Sequence, residues 1–294
     1  MAQILKPRPL PVSTQFWPVD KVILVYFTVS GLMVAGWWSR IPDAGILFAW
    51  HVAAIALLLI EVKRPNPTTW FFRNWYPLPY VASCYREMAL LIPPIRHADS
   101  DRWLADLDFR IWHANPTIWL EHIYSPWLTE YLQIVYTLFI PAVLFVAFLL
   151  WWRRDYRTFQ YYAFLIALGF LTSYVGYILV PARGPRFLLR HLEHIPLQGK
   201  WLFWSMQHAL DRLESAAYDC FPSGHTELTI LAWWGSGKLS KRLFRVYFAY
   251  TPSIIFATVY LRYHYTVDVM AGAVLALILI VASPWLYDKL RERV

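Results

Sequence analysis

Runs of roughly twenty apolar residues recur along the chain, and nothing else in it limits the fold as sharply. A backbone crossing lipid must satisfy its own N–H and C=O groups, so runs of this length and composition are read as helices. They fall at Lys21–Trp38, Gly45–Ile60, Tyr76–Ile95, Tyr131–Trp152, Tyr161–Val180, Thr226–Gly237, Phe244–Leu261 and Val267–Leu286. The third carries Arg86 and Glu87 at its middle, where charge is costly and usually functional; a re-entrant or interfacial helix is the other reading. The sixth is short unless it begins at Ser223. With 58% hydrophobic and 16% charged residues, an ordinary soluble domain is excluded. The expected fold is an all-α polytopic membrane protein of about eight spans. Residues 1–95 form a tail and first spans, 96–130 a polar and aromatic loop, and 131–294 a core of further spans. No small-residue cleavage site follows the first run, which reads as a retained span.

The chain is basic, with a formal net charge of +8, but its cations cluster between apolar runs and so report orientation rather than nucleic acid. Lys63-Arg64 with Arg73, Arg153-Arg154-Arg157, Lys238-Lys241-Arg242-Arg245 and Lys289-Arg291-Arg293 share one face if Tyr76–Ile95 crosses. Lys6 and Arg8 join them, which places both termini in the cytoplasm and the acidic 96–130 stretch on the opposite side. Arg183, Arg186, Arg190 and Arg262 then fall on the non-cytoplasmic face, against the orientation rule. Cations kept there answer to something local, and phosphate is the natural ligand because a guanidinium offers it a planar donor fork. The expected partners are membrane lipids.

Two short stretches carry the chemistry. In Cys220-Phe221-Pro222-Ser223-Gly224-His225-Thr226, Pro222 and Ser223 announce a helix, Gly224 permits close approach, and His225 stands in the first turn. Free N–H groups and the dipole favour an anion there, beside a proton donor. In Arg262-Tyr263-His264-Tyr265-Thr266-Val267-Asp268, His264 and Asp268 are four apart, so on a helix they share a face and can pair. A carboxylate on one imidazole nitrogen leaves the other as a nucleophile or base. Both histidines and the arginines emerge on one membrane face, a phosphoryl-transfer constellation that needs no metal or other cofactor.

Pro222-Ser223-Gly224-His225 and His264-Tyr265-Thr266-Val267-Asp268 resemble the second and third signature motifs of the PAP2 (type 2 phosphatidic acid phosphatase) superfamily. The resemblance implies a PAP2-like core in which His264 attacks phosphorus to give a phosphohistidine, Asp268 orients it, and His225 protonates the leaving oxygen. Ser223 and the Gly224 N–H would bind phosphate oxygens. The family's first-motif Lys is missing, since Gly176 and Leu179 stand seven before Arg183 and Arg186, and Thr258 replaces a third-motif Arg. Arg186 and Arg262 are expected to stand in for these cations. Pro181-Ala182-Arg183-Gly184-Pro185-Arg186, Arg262, Arg73-Asn74-Trp75-Tyr76-Pro77 and the Asp101–Leu120 stretch resemble the branch containing inositol phosphorylceramide synthases. In that branch an acceptor hydroxyl, rather than water alone, resolves the intermediate.

A lipid transporter is the rival class, with His51, Arg86 and Glu87 along a path. A metal at His191, Glu193 and His194 is a further reading, although those residue types also describe a solvated turn. Cys84 and Cys220 offer neither a disulfide framework nor a paired-Cys metal site.

Overall fold

Side-chain caps start several of the helices. Asp155, Ser223 and Ser240 each accept the backbone N–H three residues on, which satisfies a donor with no partner inside the helix. Asp20 and Asp268 work in reverse: each is the third residue of its helix and accepts the N–H of the residue before it, Trp17 or Tyr265. The computed structural model describes residues 15–64, 70–96, 98–213 and 218–291. Lys6, Arg8 and Arg293 of the orientation argument lie outside them.

The described residues are all-helical. They form α1 (Pro18–Gly36), α2 (Ala44–Lys63), α3 (Trp70–Trp75), α4 (Pro77–Ile95), α5 (Asp101–Trp112), α6 (Pro116–Trp119) and α7 (Pro126–Thr137). There follow α8 (Phe139–Trp152), α9 (Tyr156–Leu179), α10 (Pro185–Leu188), α11 (Phe203–Leu213), α12 (Gly224–Ser236), α13 (Lys241–Tyr260) and α14 (Thr266–Leu290). All eight apolar segments are helical, but only α1, α2, α9 and α14 are singly long and apolar enough to cross a membrane. The α7–α8 pair passes that test jointly, bent by 44° at Leu138. Several apolar helices thus suggest a membrane protein, and Val29, Leu57, Leu277 and Val281 leave apolar side chains exposed on them.

Helix α9 is the shared wall of the bundle. Phe164, Ala167 and Leu171 pack with α1, α2 and α4, while Tyr162, Leu165 and Ile166 pack with α8, α12, α13 and α14. One end gathers the basic segments: Lys21 donates to the Leu290 carbonyl, Arg153 donates to that of Leu239, and Trp70 packs on Trp151 and Tyr156. The other end gathers the loops around Pro181, Cys220 and Arg262. Helix α14 runs from that end back to the basic one, and Gly272 lets it lie against α12, because a Cβ there would strike the Ser223 carbonyl.

The buried charges inside the N-terminal helices are paired. Arg73 and Tyr76 both donate to the fully buried Asp20, and the Arg73 guanidinium also lies over the Trp17 ring. His51 lies 3.0 Å from Glu87 and hydrogen-bonds Ser30. Arg86 is exposed whereas Glu87 and His51 form a buried pair, so the three residues named for the transporter reading do not make one buried line of charge. Removing one partner of a buried pair strands the other charge, at a cost of roughly 3–5 kcal/mol. Asp20→Leu should therefore sharply reduce resistance to denaturing detergent, and Asp20→Leu/Arg73→Leu should recover much of the loss. A double variant no more stable than the single one would show that the pair is not the source of the effect.

Candidate active site

Three loops meet at the end of the bundle opposite the basic clusters. Ala182 forms an isolated parallel bridge with Asp219, with the Cys220 N–H on the Ala182 carbonyl at 3.1 Å. Arg186 N–H donates to the Arg262 carbonyl at 3.1 Å, and Ser223 N–H to that of Asp268 at 3.0 Å. Gly184, at φ +99°, passes so close to the Tyr263 carbonyl that a Cβ would lie 2.7 Å from it. Only glycine takes that backbone without strain.

The two histidines are brought together. His264 Nε2 lies 3.4 Å from His225 Nδ1. His264 is buried and sits in the turn before α14, not on the helix, which corrects the expected helical pairing with Asp268. Its Nδ1 is 2.9 Å from the Cys220 carbonyl and 3.6 Å from the nearer Asp268 oxygen. A carbonyl can only accept, so Nδ1 carries the proton and Nε2 presents its lone pair toward His225. Asp268 is the more distant partner; its Oδ2 accepts from the Tyr265 N–H and from the Cys220 thiol, both at 2.8 Å. Burial first, and then the Asp268 charge, pushes the Cys220 thiol well above its ordinary range and keeps it a donor.

Cys220, His264 and Asp268 place ligand-type atoms within 4.8 Å of one another, a grouping that sequence spacing does not reveal. Each atom already has a hydrogen-bond role, which describes a relay better than a coordination shell. His191, Glu193 and His194 are drawn apart instead. His191 Nδ1 bonds the Leu188 carbonyl, Glu193 pairs with Arg262, and the His194 N–H bonds Glu121.

His225 stands at the start of α12, where Tyr136 stacks on it at 4.4 Å and Phe139 leans against it at 4.4 Å. Tyr136 also stacks on Tyr263 at 4.3 Å, and the Arg186 guanidinium lies over the Tyr263 ring. Ser223 Oγ serves as the helix cap, accepting from the Thr226 N–H and hydroxyl. The group crowding Gly224 is the Tyr177 hydroxyl, 2.7 Å from where a Cβ would stand.

The arginines separate into two kinds. Arg183 and Arg186 line a cavity of about 670 Å³, together with Arg190 and Asp219, and Arg186 there lies 3.3 Å from the exposed Asp211 carboxylate. Arg262 also borders it, but its guanidinium is already bound by Glu121 at 2.7 Å, by Glu193 at 2.8 Å and by the Ile195 carbonyl at 2.8 Å. In this structure it fastens the loop rather than offering a free fork to phosphate, contrary to expectation. Burial raises the Asp219 carboxyl, against the opposing pull of the Tyr85 hydroxyl, His264 and Arg186.

Sequence reasoning missed the residues that hold these loops. The 96–130 stretch contains α5, whose buried face is Asp101, Leu104, Ala105 and Asp108, at helical spacing. Asp101 accepts the Arg183 and Gly184 N–H groups, both at 2.7 Å, and the Tyr265 hydroxyl at 3.0 Å. Asp108 accepts the Thr266 and Val267 N–H groups and the Thr266 hydroxyl. Burial pushes both carboxyls up while these donors pull them down. The i, i+3, i+4, i+7 spacing of Asp101, Leu104, Ala105 and Asp108 is the sequence signal for that face. Asp101→Asn keeps the shape but sets an amide NH2 against one of the two backbone donors, because each N–H is taken by a different carboxylate oxygen. It should lower turnover at least about tenfold and cost about 1–3 kcal/mol of stability. Phosphate release and melting temperature, measured on the same preparation, check both; an unchanged rate would remove Asp101 from any positioning role.

Residues 102–282 match the sequence model of the PAP2 superfamily, so the match takes in α6 to α13, most of α5 and α14, and both histidines. No curated protein and no solved structure matches the chain significantly. The superfamily covers phosphatases acting on lipid phosphates, which supports an enzyme here. By a match across more than half its length, the chain belongs to the PAP2 superfamily.

Proposed function

We propose that the protein is a membrane lipid-phosphate phosphatase or phosphotransferase working through a phosphohistidine on His264. The observation that carries this reading is the histidine pair: an Nε2 lone pair, fixed by the Cys220 carbonyl on the opposite nitrogen, facing His225 at 3.4 Å. In the first step Nε2 attacks phosphorus, forming an N–P bond as the bond to the leaving oxygen breaks, and His225 gives that oxygen a proton. In the second, water or an acceptor hydroxyl attacks phosphorus, the N–P bond breaks, and His225 takes the proton back. Asp268, close to Nδ1, offsets the positive charge that His264 acquires. Arg183, Arg186, the Gly224 N–H and the start of α12 supply positive potential for the phosphoryl oxygens, the main demand of this chemistry. Ser223 shapes that helix start, and Arg262 holds the loop that positions Tyr263 and His264.

The resemblance to inositol phosphorylceramide synthases favours transfer to a hydroxyl over hydrolysis alone. Eight crossings with both termini cytoplasmic, and the histidines on the non-cytoplasmic face, agree with the separation of basic clusters from site loops at opposite ends of the bundle. His264→Ala and His225→Ala should abolish turnover, by a factor of about 10³ or more, while the protein still inserts and folds. Brief exposure to a ³²P-labelled lipid phosphate should leave an acid-labile label on the wild type and none on His264→Ala. Near-normal activity in either variant would sink the assignment.

A further inference from the structure

The cavity lined by Arg183, Arg186 and Tyr263 holds a polar side chain that the chemistry above does not use. Gln133 on α7 lines it, is 1% exposed, and neither amide atom has a hydrogen-bond partner among the described residues. Gln207 on α11 lines the same cavity and its Oε1 is likewise buried and unpartnered. Burying an amide without partners is unfavourable, so this arrangement suits a group that arrives. An amide offers a donor and an acceptor together, and a hydroxyl answers both.

The rest of the lining narrows the ligand. Arg183, Arg186 and Arg190 bring positive charge, and Asp211 and Asp219 bring acceptors, so the surface suits an anion that also carries neutral donors. At about 670 Å³ the space is within the range of small-molecule sites and far larger than a bare phosphate fills. Tyr136 lies between the rings of Tyr263 and His225, and Arg186 covers Tyr263, so this cavity extends on the side of that stack away from His225.

We infer that this cavity is a headgroup site for a hydroxyl-bearing phosphate ester, with Gln133 reading a hydroxyl and Arg183, Arg186 and Arg190 the charge. The inference rests on the phosphoryl-transfer reading only for the neighbouring reaction. Binding to the cavity does not require it.

Two experiments separate the two ideas. In nanodiscs, the inactive His264→Ala protein should be stabilised by short-chain phosphatidylglycerol, whose headgroup bears hydroxyls, more than by short-chain phosphatidic acid. Adding Gln133→Leu or the near-isosteric Gln133→Met should weaken phosphatidylglycerol binding about tenfold and leave phosphatidic acid within about twofold. In the His264-intact protein, Gln133→Leu should raise KM for the hydroxylated probe and spare hydrolysis of phosphatidic acid. Equal effects on both probes, or none, would overturn the inference. So would a Gln133→Leu variant that merely melts higher with binding unchanged, since the amide would then meet only water. If neither lipid is turned over but binding follows Gln133 as described, the phosphoryl-transfer reading fails and the headgroup site stands.

Discussion

Buried carboxylates that accept backbone N–H groups are the interaction on which this structure depends. Irregular backbone at the end of a helical bundle leaves donors that no helix satisfies, and an unsatisfied amide near lipid is expensive. Four acids from one stretch meet that need. Asp101 takes the Arg183 and Gly184 amides, Asp108 those of Thr266 and Val267, Glu121 that of His194, and Glu130 those of Lys200, Trp201 and Leu202. The loops bearing the histidines and arginines are thereby fastened to α5, to α7 and to the turn at Glu121 between α6 and α7. A carboxylate suits the task because its two oxygens can serve successive N–H groups at once.

Local and periodic features of this fold were legible in the sequence. Apolar runs marked all eight segments that became helices, and Pro222-Ser223 marked the start of α12, because both signals are set within one or two turns. Topology put His225 and His264 on one membrane face, but their direct contact, between residues 39 apart, was not legible because folding alone makes it. What could not be read was partner choice. Arg262 resembled a phosphate ligand by position, yet its partners Glu121 and Glu193 come from segments that folding alone brings near it. Asp101 and Asp108 were visible as acids, and their shared helical face was visible too, but nothing local says that the face meets backbone rather than water.

The same logic separates neighbours in the site. Asp268 and His264 lie four apart in sequence, yet the carbonyl of Cys220, from another loop, is the nearer partner of Nδ1. Asp268 combines helix capping with charge support, so its removal would disturb the start of α14 as well as the imidazole. Such doubling is economical in a membrane bundle, where each buried charge needs several reasons to be tolerated.

The bend between α7 and α8 has a consequence for His225. Tyr136, just before the break, stacks on one side of the His225 imidazole, and Phe139, just after it, leans on the ring as well. The ring is held by both halves of a jointed span, so the angle of the joint and the aim of the imidazole are a single degree of freedom.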